Sequence, residues 1–180
     1  MNSERIKEIE NIFRNSTSSD ELFDAFQEAL RLNLRELEIF KILLANLALS
    51  TDEVKMFTEK LLKQIPESSF DICMWTAKVF GNYLLEPDRL EDAVRYYSRA
   101  ISHHPSSHES QIQILNLYNY EIEVAINQKI IGIVESTVQA IDKKSKVYYA
   151  LADHYKRIGN LERATKYLAL AEKSAEREKE

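Results

Sequence analysis

Glycine and proline are scarce in this chain, with three residues of each among 180. β-Sandwiches and β-barrels need many tight turns, which draw on both residues, so the composition argues against these architectures. Hydrophobic residues make up 44% of the sequence, enough for a packed core. The composition therefore predicts an all-α protein, and the length suits a single domain over residues 1–180.

Cysteine and long apolar runs are also missing. Cys73 is the only cysteine, so no disulfide can form within the chain, and such usage is typical of a reducing compartment. The first residues, MNSERIKEIE, lack the apolar segment that a secretory signal needs. The run ILLANLAL at 42–49 is far too short to span a membrane. We therefore expect a cytoplasmic protein without a membrane span.

An excess of positive charge is absent as well. The net charge is −5 at pH 7, whereas nucleic-acid binding usually needs a basic surface. The sequence contains no P-loop, GxGxxG, GxSxG or HExxH motif. His103, His104 and His108 lie close together, but adjacent histidines at a helix end point in different directions, so a turn is a better interpretation than a metal site. The sequence thus predicts no enzyme, no cofactor, no metal site and no nucleic-acid partner.

What the chain does contain is apolar residues at the spacing of amphipathic helices. The first stripe consists of Ile6, Ile9 and Phe13. The NSTSS segment that follows breaks the stripe, and Asp20 can cap the second helix. The polar tail KSAEREKE, at 173–180, is expected to fray.

A third helix is predicted from about Leu34 to Leu49, with Leu47 on its apolar face. The STDE segment at 50–53 is a capping signal for the next helix, which is predicted to end at about Gln64. No segment shows the alternation of a strand, and short polar breaks separate the helical segments. The pattern predicts a series of helices joined by short turns.

The segment EDAVRYYSRAISHHP places Ala93 and Ala100 seven residues apart, with Tyr97 between them. Gly81 lies twelve residues before Ala93, and Pro105 closes the run. Small side chains at such positions let two antiparallel helices approach closely, while the large residue between them fills the groove. The spacing therefore predicts a tightly packed helix pair.

The same order of residues recurs near the end of the sequence. Ala164 and Ala171 lie seven residues apart with Leu168 between them, and Ala152 precedes Ala164 by twelve. The GNLE segment at 159–162 provides the turn between the two helices. A second helix pair is therefore predicted here.

These two segments resemble the tetratricopeptide repeat (TPR), a helix pair of about 34 residues with the pattern W-x2-L-G-x2-Y, A-x3-F and P. The resemblance implies an antiparallel helix-pair solenoid, a right-handed superhelix that serves protein–protein interaction. An ordinary helical bundle with two helix hairpins is the alternative. The units that the resemblance implies are irregular N-terminal helices at 1–33, divergent repeats at 35–68 and 108–144, and repeats at 74–107 and 145–178.

In TPR solenoids the first helix of each pair lines a concave groove, and aromatic, cationic and amide side chains there suit an extended peptide or a partner helix. The resemblance implies the following peptide-binding groove residues: Trp75, Lys78, Asn82, Gln113, Asn116, Lys146 and Tyr149.

Part of this set is also similar to the carboxylate clamp with which some TPR domains hold the C-terminal tails of heat-shock chaperones. Lys78, Asn82 and Lys146 match the clamp as they stand. Gln113 replaces an asparagine, and Ala150 stands where an arginine belongs.

The function that the resemblance implies is a scaffold or adaptor that binds a protein or peptide partner in the groove. The alternative is a structural subunit of a homo-oligomeric or hetero-oligomeric assembly, with the groove filled by its own chain. Residues 1–33 could supply such a filler helix, and this alternative includes self-association.

Overall fold

The computed structural model describes residues 2–82, 87–121 and 125–179, and these residues form ten α-helices and no strand. The predicted all-α class is therefore confirmed. Residues 83–86 and 122–124, which fall in the units predicted at 74–107 and 108–144, lie outside the described residues. The helices are α1 (Asn2–Asn15), α2 (Ser19–Arg31), α3 (Leu37–Leu44), α4 (Thr51–Gln64), α5 (Ser69–Gly81), α6 (Pro87–His103), α7 (Glu109–Asn116), α8 (Ala125–Thr137), α9 (Lys144–Arg157) and α10 (Leu161–Arg177).

Short 3₁₀ turns at Pro66–Ser68 and Val138–Ala140 precede α5 and follow α8. Across the described ranges, none of the helices combines the length and the apolar character needed to cross a membrane.

Side chains cap the starts of α2, α4 and α10, and the cap of α2 differs from the predicted one. The backbone N–H of Glu21 donates to Ser18 Oγ at 3.4 Å, so Ser18 caps α2 and the predicted cap Asp20 lies in the first turn instead. In α4, Ser50 and Glu53 form a capping box, in which each side chain accepts from the other residue's backbone N–H. The capping signal predicted at 50–53 is confirmed.

The third helix ends at Leu44, earlier than predicted. The side-chain amide of Asn46 donates to the carbonyl oxygens of Phe13 and Ser16, at 2.9 and 3.0 Å. These bonds tie the segment after α3 to the end of α1 and divert it from a helical path. Leu47, predicted to lie on the apolar face, is 85% exposed as a result.

The most extensive helix contacts join α5 to α6 and α9 to α10, the two pairs that the small-residue spacing predicts. Ala93 and Ala100 are fully buried. A methyl group added at Gly81 would lie 3.1 Å from Leu117 Cδ2 and 3.9 Å from Ala93 Cβ. Gly81 and Ala93 therefore face each other across the pair, and Leu117, which follows α7, leaves the least room for a larger side chain at Gly81.

The second pair closes in the same way but is less covered. Ala171 is fully buried, and the rings of Tyr155 and Tyr167 stack with their centroids 5.5 Å apart. Leu168, predicted to fill a groove, is instead 43% exposed. The reason is that α9 covers one side of α10, and Leu168 lies toward the outer side.

The C-terminal tail was predicted to fray, but α10 continues to Arg177. The Glu178 carboxylate then accepts from the backbone N–H of Ser145 at 2.9 Å and from its hydroxyl at 2.5 Å. Lys143, the residue at the N-cap position of α9, makes no side-chain cap bond, so Glu178 supplies the acceptors there. The same bonds to Ser145 lower the pKa of the Glu178 carboxyl.

Helices also contact the next but one along the chain: α1 contacts α3, α3 contacts α5, α6 contacts α8, and α7 contacts α9. On the even-numbered side, Lys55 Nζ lies 2.6 Å from Asp92 Oδ2, and Arg99 donates to Glu59, so ion pairs join α4 to α6. The Ser110 hydroxyl of α7 also donates to Met74 Sδ of α5 at 3.3 Å. The odd-numbered helices from α1 to α9 therefore lie side by side, and this row positions the candidate site.

Candidate functional site

A cleft of about 560 Å³ opens between the end of α1 and the turn after it, α3 and the turn after it, and Trp75 of α5. Ile42, Leu47 and Trp75 contribute apolar surface to its lining. Arg14 and Lys41 bring positive charge to the same cleft. An apolar surface with charged groups beside it can bury a hydrophobic side chain and bind polar groups next to it.

A second cleft, of about 180 Å³, continues from the first toward α7. Lys41 and Trp75 line both clefts, while Lys78 and Gln113 line the second. Because the clefts share two residues, we treat them as one groove across α1, α3, α5 and α7, called the Trp75 groove below. Its α7 end carries acidic groups too, and Glu109 is among them.

Trp75 is held at the centre of this groove. Its indole N–H donates to the carbonyl oxygen of Lys41 at 2.9 Å. The ammonium groups of Lys41 and Lys78 lie 5.6 and 5.8 Å from the ring centroid, within the range of cation–π attraction. Lys41 is also 2.6 Å from the Glu38 carboxylate, so its position is fixed from two directions. A ring held in this way needs little ordering when a partner binds, which favours affinity.

The structure brings together three of the seven predicted groove residues, namely Trp75, Lys78 and Gln113. Asn82 follows the last residue of α5, and Asn116 ends α7; both are exposed and neither lines the Trp75 groove. Both lie at the C-terminal ends of their helices, beyond the positions of Trp75, Lys78 and Gln113.

The two predicted residues of α9 also lie apart from the Trp75 groove. Lys146 Nζ lies 3.2 Å from His108 Nε2, at the start of α7, and Tyr149 is 44% exposed. Burial and the nearby Lys146 ammonium lower the pKa of His108, which favours the neutral imidazole. Lys146 therefore lies outside the groove, on α9, the odd-numbered helix that packs beside α7.

Sequence reasoning missed Lys41 and the contribution of α1. Lys41 precedes Trp75 by 34 residues, which equals the length of one tetratricopeptide repeat. The predicted units at 35–68 and 74–107 start 39 residues apart, so that alignment does not pair Lys41 with Trp75. The 34-residue separation is the signal that points to Lys41. No sequence pattern points to Arg14. It lies beside the groove because Asn46, in the turn after α3, bonds to the end of α1.

The remaining reactive side chains do not converge on this groove. Cys73 is fully buried, and burial raises the pKa of its thiol to about 11. His104 packs edge-on against Phe70, with the ring centroids 5.3 Å apart, while His108 contacts Lys146. Within the described ranges, no three His, Cys, Asp or Glu side chains are grouped as metal ligands.

The chain matches no known protein-family model, no curated protein and no solved structure. A functional assignment therefore depends on the geometry of the Trp75 groove.

Proposed function

We propose that this chain is a TPR-like interaction module, a cytoplasmic scaffold or adaptor that binds a peptide segment or partner helix in the Trp75 groove. The observation that carries the proposal is a pair of adjoining clefts that share Lys41 and Trp75, with the indole ring fixed beside the ammonium groups of Lys41 and Lys78. The small-residue pairs and the contacts between next-but-one helices support a solenoid of helix pairs.

The side chains of the groove suggest how a partner is held. Trp75 provides the apolar anchor, since buried aromatic residues supply much of the energy of protein interfaces. Lys41 and Lys78 bind carboxylates or backbone carbonyl groups beside the anchor, and the amide of Gln113 binds the partner's backbone. Peptide-binding surfaces commonly combine an apolar anchor with polar contacts beside it, and such binding requires no catalytic group.

The arrangement of the N-terminal helices favours an adaptor over a subunit whose groove is filled by its own chain. Residues 2–31 form α1 and α2, which pack against each other, and α1 also packs against α3. The end of α1 lines the Trp75 groove. α1 therefore forms part of the groove's wall, a role that differs from that of a filler helix.

The test is peptide binding with and without Lys78. A random peptide library is selected on the immobilised protein, and the enriched peptide is titrated by fluorescence anisotropy. We expect Lys78→Glu to weaken binding at least about tenfold because the introduced carboxylate repels the partner's acidic groups. Lys78 is exposed and forms no ion pair in the described part of the chain, so the fold should be unchanged.

The matched control is Lys7→Glu, the same charge change at an exposed position of α1. It should bind like the original protein, and both variants should keep the same circular dichroism. Lys146→Glu then measures how far the binding surface extends. A loss of peptide affinity in this variant would show that the surface reaches α9. Equal affinity of the Lys78→Glu variant, or the absence of any enriched peptide, would contradict the proposal.

A further inference from the structure

An apolar stripe on α10 is left uncovered by α9. Leu161 is 68% exposed and Leu168 is 43% exposed. They lie seven residues apart, which is close to two helical turns, so both project from one side. Thr165 lies between them, and its hydroxyl donates to the Leu161 carbonyl oxygen at 2.9 Å. That bond satisfies the hydroxyl within the helix, so the stripe can be buried without stranding this donor.

One flank of this stripe carries a charge of each sign. Glu162 and Lys166 are both exposed and lie four residues apart. Neither forms an ion pair with another side chain in the described part of the chain. Two opposite charges beside an exposed apolar stripe are a common arrangement at helix–helix interfaces, where they set register and orientation.

We propose that α10 binds the α10 of a second copy of this chain, antiparallel, across a two-fold axis. The register sets Leu161 of each copy against Leu168 of the other, which places the axis midway between residues 164 and 165. Ala164 and Thr165 then lie at the crossing point, where small side chains allow close approach.

The charges select this register independently of the leucines. An isologous contact needs a surface that complements itself, because the same patch serves on both copies. In the antiparallel register, Glu162 of each copy comes within about one residue's rise, ~1.5 Å along the axis, of the level of Lys166 of the other. A parallel two-fold pairing would put the flanks of the two copies on opposite sides of the contact, so Glu162 of one copy would not face Lys166 of the other. A second copy of the chain is therefore the occupant that the stripe fits.

The contact spans about two helical turns, which is small for a protein interface, so the dimer should be weak and form only at high concentration. It would join two Trp75 grooves in one particle and give a partner with two binding segments a gain in avidity. This inference goes beyond peptide binding and does not depend on it.

Sedimentation equilibrium of the full chain over a wide concentration range tests the dimer. The protein should associate reversibly to a dimer, and Leu161→Lys should weaken association at least about tenfold. Because Leu161 is mostly exposed, this variant should keep its fold, which circular dichroism and thermal melting can check. Lys78→Glu should leave association unchanged, which separates this test from that of the groove.

Charge reversal gives the sharper test. Glu162→Lys and Lys166→Glu should each weaken self-association, because like charges then face each other across the axis. An equimolar mixture of the two variants should regain the original association, since every facing pair is opposite again. Lys7→Glu, which makes the same charge change as Lys166→Glu on α1, should behave like the unaltered protein.

Three results would overturn the inference: a protein that stays monomeric at the highest soluble concentration, a dimer that is indifferent to Leu161→Lys, or a mixture no more associated than its separate components. The first would leave the stripe to a different partner. The other two would place self-association on another surface.

Discussion

The pairs α5–α6 and α9–α10 share one spacing of small residues, yet they differ in how their second helix is covered. In α6, Ala93, Tyr97 and Ala100 are all buried. In α10, Ala171 is buried but Leu168 is nearly half exposed. The cause lies outside the pairs, because α7 and α8 also pack against α6, whereas extensive contacts to α10 come from α9. The spacing of small residues lets the two helices of a pair pack together. The neighbouring helices then determine whether the large residue between the small ones is buried.

The largest expected difference is between the two middle residues. Tyr97→Ala should lower the free energy of unfolding by about 3–5 kcal/mol, because it removes a buried ring and leaves a cavity. Leu168→Ala should cost less than about 1 kcal/mol at protein concentrations too low for association. Urea unfolding followed by circular dichroism measures both. Equal losses would show that α10 is covered in solution as fully as α6.

Replacing a small residue by a larger one should also affect the stability of the two pairs differently. Ala93→Leu should lower the free energy of unfolding by about 1–3 kcal/mol, because Ala93 is fully buried where α5 passes close to α6. Ala164→Leu should change it by no more than about 0.5 kcal/mol, since that residue is only partly buried. Denaturant midpoints of the two variants make the comparison. A tolerant Ala93 would refute the role assigned to small residues.

A third test concerns α7, one of the helices that cover α6. Gln111 is fully buried, and in the described part of the chain neither polar atom of its amide has a hydrogen-bond partner. Gln111→Leu should therefore raise the free energy of unfolding by about 1 kcal/mol, since it removes a desolvated polar group. The control is Gln113→Leu, two residues further on and partly exposed, which should be nearly neutral. Destabilisation by Gln111→Leu would contradict this prediction.

The smallest expected effect is a dependence of stability on pH to which His154 of the α9–α10 pair contributes. His154 is buried, with Nδ1 3.0 Å from the Tyr120 hydroxyl, and the rings of Tyr118 and Tyr155 pack against it. Burial lowers the pKa of His154, and Arg157 acts in the same direction against the opposing charges of Glu135 and Asp153.

The unfolded chain therefore binds a proton at His154 more readily than the folded chain does. This group leaves stability unaffected above the unfolded pKa of about 6.5, and stability falls as the pH is lowered from there toward the folded pKa. Cys73 in the α5–α6 pair has a pKa of about 11, so it contributes nothing in that range. Urea unfolding between pH 7.5 and 5.5 should show a smaller loss for His154→Gln than for the original protein, and parallel losses would exclude this role.

Local signals were the part of the fold that the sequence could predict. The capping box of Ser50 and Glu53 is confirmed because both partners lie within one helical turn. The end of α3 was wrong because Asn46 bonds to residues 30 and 33 positions earlier. The prediction that the C-terminal tail frays was wrong for a similar reason, since Glu178 accepts a hydrogen bond from Ser145, 33 positions earlier. Propensity describes neighbours in sequence, and these bonds join neighbours in space.

The candidate site divides in the same way. Trp75 and Lys78 were predicted from the repeat pattern and lie together in the groove. Lys41 was missed, although its carbonyl group holds the indole ring, because the motif fades in its part of the chain. Lys146 and Tyr149 stay predicted contacts, on α9 beyond the groove.

By itself the sequence determined the all-α class, the starts of several helices and the closing of two helix pairs. The all-α class depends on the scarcity of glycine and proline, and the helix starts depend on groups within one helical turn. The two pairs depend on small side chains at fixed intervals, and all of these can be read from short stretches of sequence. The tertiary structure alone decided that α1 and α3 complete a groove around Trp75, and that α10 keeps an exposed stripe while α6 does not. Such features require groups tens of residues apart to meet, and the packing of whole helices, rather than any local preference, sets whether they do.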